Sequence, residues 1–254
     1  MRRFSPQLRA LDWLVARPIA HRGLHDKGNG ILENTASAFA GALADNYAIE
    51  FDLQLTGDGE AVVMHDETLD RVMDATGRVR DYSVRELKSL AFKFGSDRVQ
   101  TLGDLLDQVA GKATLVIELK SHFDGDVRLA LRALEVLEGY EGPYCLMSYD
   151  HALVQAVAEL SPNTVRGITA DRTTDSYYSA LPFTQRLNLR HMDHLDKTRP
   201  HFISYYFRDL PFVPVQAIRA AGHPVITWTI RNKVEEQLAR RYCDQITFEN
   251  YKPT

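Results

Sequence analysis

Short apolar runs and amphipathic stretches alternate along the chain. A brief β-like run at 18–20 leads, across a glycine-bearing loop, to a predicted helix over 35–46. There Ala36, Phe39, Ala40 and Leu43 form the i, i+3, i+4, i+7 stripe that buries one helical face. The apolar run at 114–119 predicts a strand, followed by a helix over 126–138 carrying Val127, Leu131 and Leu134. Further strands are predicted at 144–148, 165–169, 202–205, 225–229 and 245–248. Helices at 151–160, 214–221 and 233–242 separate most of them, the second with Pro214 at its start and Gly222 just past its end.

The stretch from Ala48 to Asp66 has a different period. Alternation of two puts Glu50, Asp52 and Gln54 on one face and Ile49, Phe51, Leu53 and Leu55 on the other. The apolar face is free to pack on helices, so two carboxylates point together elsewhere. Asp58-Gly59 is a two-residue turn signal, because such turns take positive φ at both central positions. With that turn, Gly57 pairs with Glu60 and His65 stands opposite Asp52, where Cβ atoms are about 5 Å apart.

Counting the Ala61–His65 arm as an antiparallel return leaves eight strands in a β/α alternation. That is the pattern of a (β/α)8 TIM barrel, whose usual length of about 250 residues suits this chain. A doubly wound open sheet shares the alternation but has no G-x-G-x-x-G or Walker loop in its favour. Most strands end in polar or aromatic residues, as expected of a barrel whose chemistry lies at the C-terminal mouth. The whole chain, 1–254, is therefore expected to form a single domain. The segment 66–113 is too long for one βα link, and its first part, 66–100, is expected to be a small insertion over the mouth. It carries a capping-box start at Ser83–Glu86 and a second helix near Leu102–Val109. The segment 170–200 is polar with little periodicity, and is expected to be a loop walling the mouth. The N-terminal segment is expected to be a helix closing the barrel bottom.

Composition adds bounds. Hydrophobic residues make up 44% and charged residues 25%, ordinary for a globular protein with a sizeable core. A net charge of -4 without a basic stripe argues against a nucleic-acid partner. No apolar run approaches the roughly 20 residues of a membrane span, and no secretory h-region follows the N-terminal arginines. Cys145 and Cys243 lack metal-ligand spacing and read as buried reduced thiols, so a cytoplasmic location is expected. Self-association into a homo-oligomer is left open.

Glu50-x-Asp52 alone is a weak signal, since alternating carboxylates usually mark a solvated face. Glu118, ending an otherwise apolar strand, adds a third. Three converging carboxylates would repel by about 3 kcal/mol per pair at ~5 Å and an effective dielectric near 20. A bound dication removes that cost, and all-oxygen ligation suits Mg²⁺ or Ca²⁺. His21 and His65 both fall at strand ends near this cluster, where histidine is suited to proton transfer. Arg22 and Lys120 either neutralise the carboxylates or hold an anionic substrate such as a phosphate.

In order, the chain carries H-R-G at 21–23, E-N-T at 33–35, I-E-F-D at 49–52, T-G-D-G at 56–59, H-D at 65–66, I-E-L-K at 117–120 and T-W-T at 227–229. This ordered set resembles the glycerophosphodiester phosphodiesterase family over almost the whole chain. The resemblance implies a TIM barrel with an insertion after H-D, and hydrolysis of glycerophosphodiesters to glycerol 3-phosphate and an alcohol. It implies Glu50, Asp52 and Glu118 as metal ligands and His21 and His65 as general acid and base. It also implies phosphate contacts from Arg22 and Lys120, and Trp228 as a hydrophobic wall. Leu32 and Gln100 stand where the family usually has proline. The last strand runs Thr247-Phe248-Glu249 where the family tends to have T-D, so Glu249 is left out of the expected site. Glu33-Asn34-Thr35 is expected to begin and cap the first helix. Among the other histidines, His122 lies closest to the expected site, and none has an evident partner. The alternatives are a lysophospholipase D on the same scaffold and a non-catalytic phosphoester-binding barrel.

Overall fold

The computed structural model describes residues 11–173, 178 and 181–253. Strands β1 (Ile19–Ala20), β2 (Ala48–Leu55), β3 (Ala61–Val63), β4 (Leu115–Leu119), β5 (Tyr144–Ser148), β6 (Arg166–Ala170), β7 (Phe202–Tyr206), β8 (Val225–Ile230) and β9 (Gln245–Phe248) form one sheet. All neighbours pair in parallel except β3, which returns antiparallel on β2. β1 pairs with both β9 and β2, so the eight parallel strands close into a TIM barrel.

The helices are α1 (Asp12–Val15), α2 (Ala36–Ala44), α3 (Val84–Ser89), α4 (Leu102–Val109), α5 (Arg128–Leu137), α6 (His151–Leu160), α7 (Phe183–His191), α8 (Leu195–Thr198), α9 (Val213–Ala220) and α10 (Lys233–Ala239). Their starts follow local chemistry. The Thr35 hydroxyl accepts from the Ala38 N–H to cap α2, and reciprocal capping boxes at Ser83/Glu86 and Thr101/Asp104 open α3 and α4. The segment expected to be a loop at 170–200 instead contains α7 and α8; residues 174–177, 179 and 180 lie outside the described residues. The signal for α7 was weak because the only residue it buries is Leu189, so no apolar stripe marks it.

Two apolar layers hold the barrel. Ile49, Phe51 and Leu53 of β2 face outward onto Phe39, Leu105 and Ala133 of the surrounding helices. Inside, Phe202 lies across Gly167 so closely that a Cβ there would run into its ring. Below, Leu11 and Leu14 pack on Ile19, Val116, Cys145 and Ile226; of the N-terminal segment expected to close the bottom as a helix, residues 1–10 lie outside the described residues. Leu14 is fully buried, and truncating such a side chain costs about 2–5 kcal/mol. Both cysteines are buried and unpaired with one another. A third cluster (Met64, Leu69, Met73, Val79, Leu87 and Phe92 at its centre) gives the segment after β3 its own small core. Among the described residues, no helix is long and apolar enough to cross a membrane.

Candidate active site

At the C-terminal ends of the strands lies a cavity of about 980 Å³. Its lining includes every residue singled out from the sequence: His21, Arg22, Glu50, Asp52, His65, Glu118, Lys120 and Trp228. The inward face of β2 supplies Glu50 and Asp52, and neighbouring β4 sets Glu118 level with Asp52. All three are buried, and one ligand oxygen from each falls within 4.8 Å of the others.

Crowding has an electrostatic signature. Burial and the charges of Asp52 and Glu118 push the Glu50 carboxyl well above the usual range. Burial acts on Asp52 in the same direction, but Lys120, His65 and Arg22 with the Asn34 hydrogen bond outweigh it and hold that carboxyl low. Lys120 Nζ lies 2.8 Å from Glu118 Oε1 and 3.5 Å from Asp52 Oδ1. Arg22 Nε lies 3.4 Å from Asp52 Oδ2.

Local backbone explains why Arg22 is placed there. Arg22 and Gly23 both have positive φ, 55° and 78°. That turn aims the Arg22 N–H at Glu50 Oε2, 3.0 Å away. A Cβ on Gly23 would lie 2.9 Å from the Ala38 backbone, so only glycine fits against α2. The H-R-G triplet is thus a geometric requirement as well as a chemical one.

The hairpin between β2 and β3 corrects the expected register. Leu55 pairs with Ala61 and Gln54 with Val62. Thr56 N–H donates to Glu60 O at 2.9 Å, leaving the three-residue loop Gly57-Asp58-Gly59 with Gly59 at φ 86°. Three-residue loops closing on a left-handed glycine are the next most common hairpin after the two-residue kind. The slip of one residue puts Met64, not His65, across from Asp52. His65 reaches the cavity from the loop past β3, with its carbonyl accepting from Gln54 Nε2 at 3.1 Å.

The chain matches the model of the glycerophosphoryl diester phosphodiesterase family over residues 21–248. It belongs to that family. A glycerophosphodiester phosphodiesterase of Caldanaerobacter subterraneus subsp. tengcongensis is 31% identical over 242 residues, covering 90% of this chain and 91% of that protein. One from Bacillus altitudinis is 32% identical over 182 residues, 66% of this chain and 73% of that protein. Among solved structures, an Oleispira antarctica phosphodiesterase in complex with the product sn-glycerol-3-phosphate superposes with a TM-score of 0.74 at 24% identity, covering 94% of this chain and 95% of that one. A Galdieria sulphuraria structure superposes with a TM-score of 0.74 at 22% identity, covering 91% and 92%.

Within this family member, several residues that the sequence analysis left out of the site stand around the cavity. Glu249 Oε2 lies 2.6 Å from His21 Nδ1 and 3.7 Å from His25 Nε2, and Oε1 accepts from Arg231 Nε at 2.7 Å. Burial pushes the Glu249 carboxyl up, but the histidine hydrogen bonds outweigh it and hold it far below the usual range. His21 itself is lowered to about 4, by burial first and Arg22 second, against the opposing pull of Glu249. Thr35 does cap α2, but Glu33 and Asn34 belong to the cavity surroundings. Glu33 accepts from Arg22 Nη1 at 2.7 Å, and Asn34 Nδ2 donates to Asp52 Oδ2 at 2.9 Å. Arg71 bridges Glu33 and Asp66, and Asp66 Oδ1 lies 2.6 Å from His65 Nδ1. His122 lines the cavity with Nδ1 3.6 Å from Glu67 Oε2. No sequence pattern pairs residues 228 positions apart, such as His21 and Glu249; the E-N-T triplet was the one available signal for Glu33 and Asn34.

Proposed function

We propose that the chain hydrolyses glycerophosphodiesters to glycerol 3-phosphate and an alcohol, using a divalent cation and two histidines. The observation that carries this reading is the buried Glu50/Asp52/Glu118 cluster sharing one cavity with two histidines, Arg22 and Lys120. It is supported by the 31% identical relative named as a glycerophosphodiester phosphodiesterase and by the product-bound Oleispira fold neighbour.

The donor set fits a metal. Three carboxylates with oxygens within 4.8 Å repel one another, as the raised Glu50 carboxyl reflects, and a dication relieves that repulsion. All-oxygen ligation by Glu50, Asp52 and Glu118 suits Mg²⁺ or Ca²⁺. When bound, the ion supplies Lewis-acid polarisation of the phosphoryl group.

The chain's own residues account for the other steps. Arg22 and Lys120 bind the phosphate oxygens and stabilise charge as it grows in the transition state. Trp228 forms a hydrophobic wall beside the glycerol or head group. A substrate hydroxyl attacks phosphorus and gives its proton to Nε2 of one histidine. The other histidine donates its Nε2 proton to the leaving alkoxide, and the alcohol departs. Water then opens the cyclic phosphate with the two roles reversed, which restores both histidines. General acid–base catalysis of this kind contributes roughly 10²–10⁴-fold. The segment after β3 puts Arg78 and Arg80 on the cavity wall, and we propose that it is a small insertion over the mouth within a single domain.

The test is product release from a panel of substrates, with and without chelator: glycerol 3-phosphate from deacylated glycerophosphodiesters and lysophosphatidic acid from lysolipids. Chelator-sensitive release from the deacylated substrates is expected, and is expected to vanish in Glu50→Ala and His65→Ala. No release from any substrate would sink the reading, and release from lysolipids alone would replace it with a lysophospholipase D.

A further inference from the structure

His21 and His65 at the cavity each sit at the end of a chain of polar contacts, and the two chains match. His21 Nδ1 lies 2.6 Å from Glu249 Oε2, and the other Glu249 oxygen accepts from Arg231 Nε at 2.7 Å. His65 Nδ1 lies 2.6 Å from Asp66 Oδ1, and the other Asp66 oxygen accepts from Arg71 Nε at 2.5 Å. An ionised carboxylate only accepts, so in both pairs the proton of the contact belongs to Nδ1. That leaves Nε2 of each ring as the nitrogen that exchanges protons. Nε2 of His21 points toward the carboxylate cluster, 3.9 Å from Glu50 Oε2.

The two chains have unlike origins. Asp66 follows His65 directly, whereas Glu249 is brought to His21 only by closure of the barrel between β9 and β1. Glu249 also lies just past the segment that matches the family model, which ends at residue 248. The arginines differ as well. Arg231 meets Glu249, while Arg71 also grips Glu33 through Nη1 at 3.0 Å and Nη2 at 2.6 Å. Glu33 in turn holds Arg22, so the His65 chain is tied to a proposed phosphate contact and the His21 chain is not.

We infer that Glu249 and Asp66 are positioning residues that hold both histidines in the Nδ1–H form with Nε2 facing the substrate, each carboxylate being fixed from behind by Arg231 or Arg71. The inference rests on the proposed two-histidine hydrolysis for its kinetic consequences, but its tautomer claim stands without turnover. In both histidines Nδ1 keeps its proton throughout the cycle. A carboxylate that fixes a catalytic histidine in this way has been worth up to about 10⁴-fold in kcat where it was replaced by its amide.

The experiment combines side-chain ¹⁵N spectra of the metal-free full chain with steady-state kinetics. In the wild-type protein, His21 is expected to show a protonated Nδ1 and an unprotonated Nε2. Glu249→Gln, whose amide can donate to Nδ1, is expected to reverse that pattern and lower kcat by about 10²-fold or more with KM within about twofold. Glu249→Asp, which keeps the carboxylate, is expected to restore the wild-type pattern and part of the rate. Arg231→Met is expected to lower kcat alone, and Arg71→Met to lower kcat and raise KM, because it also releases Arg22. A wild-type His21 whose only ring proton is on Nε2 overturns the inference, and this needs no variant to fold. So does a Glu249→Gln protein that keeps wild-type kcat. A wild-type protein inactive on every phosphodiester but carrying the Nδ1–H pattern at both histidines refutes the proposed reaction and leaves the positioning roles standing.

Discussion

Asn34 Nδ2 donates to Asp52 Oδ2 at 2.9 Å, while Asn34 Oδ1 accepts from the Asp52 backbone N–H at 3.4 Å. Asn34 is buried and holds φ at 56°, a left-handed conformation that asparagine tolerates better than most residues. The contact turns one Asp52 oxygen away and leaves Oδ1 toward Lys120. Asp52 is a ligand in the proposed metal site, and partners that hold such ligands are worth about 10- to 100-fold in metal affinity or activity. Asn34→Ala is therefore expected to weaken Mg²⁺ or Ca²⁺ binding by that range, read as the metal concentration giving half the thermal stabilisation. The wild-type protein at 100 times its Kd should gain about 2.7 kcal/mol from the ion. Unchanged metal titration in Asn34→Ala would remove Asn34 from the site.

The two-histidine scheme separates an acid from a base. A good leaving group such as 4-nitrophenolate needs no proton on departure, so a variant lacking the acid should be rescued on that substrate. His21→Ala and His65→Ala are expected to be alike on glycerophosphodiesters, both reduced by at least about 10²-fold. On a glycerol 4-nitrophenyl phosphodiester, which keeps the attacking hydroxyl, one of the two should recover most of its first-turnover nitrophenolate release and the other none. Equal behaviour of both variants on both substrates would argue against divided roles.

Glu33 makes acid stability a test of the Arg22–Glu33–Arg71 contacts. Burial pushes its carboxyl up, but hydrogen bonds and charge from Arg71 and Arg22 outweigh that and bring it down to about 2. The unfolded value is about 4.3. A pKa depressed on folding contributes stability that is fully present above the unfolded value and is lost as pH falls toward the folded one. The urea midpoint of the wild-type protein should therefore fall between about pH 4.5 and pH 2 more steeply than that of Glu33→Gln. The variant should be less stable at pH 5, with the gap closing in acid. Parallel curves would mean that the carboxylate gains nothing from its arginines.

Much of this protein was legible in local pattern. The alternation of β and α elements gave the barrel, since a period of two or of 3.6 depends only on neighbours along the chain. The capping box at Ser83 was visible because its partner Glu86 lies three residues away. The ordered motifs gave eight of the residues that line the cavity. The polar helix α7 was not legible, because almost nothing on it is buried.

What the sequence by itself determined was the strands and the amphipathic helices, the residue types at the mouth and the convergence of Glu50, Asp52 and Glu118. The tertiary structure decided how those residues are held. The hairpin register shifted by one residue because Gly57 docks against the segment above it. Its N–H donates to Tyr82 O at 2.8 Å, and a Cβ there would meet Arg80 O at 2.8 Å. Glu249 entered the site because β9 closes on β1, which brings the last strand beside His21. Contacts of that kind depend on register and closure between distant segments, which no local period encodes.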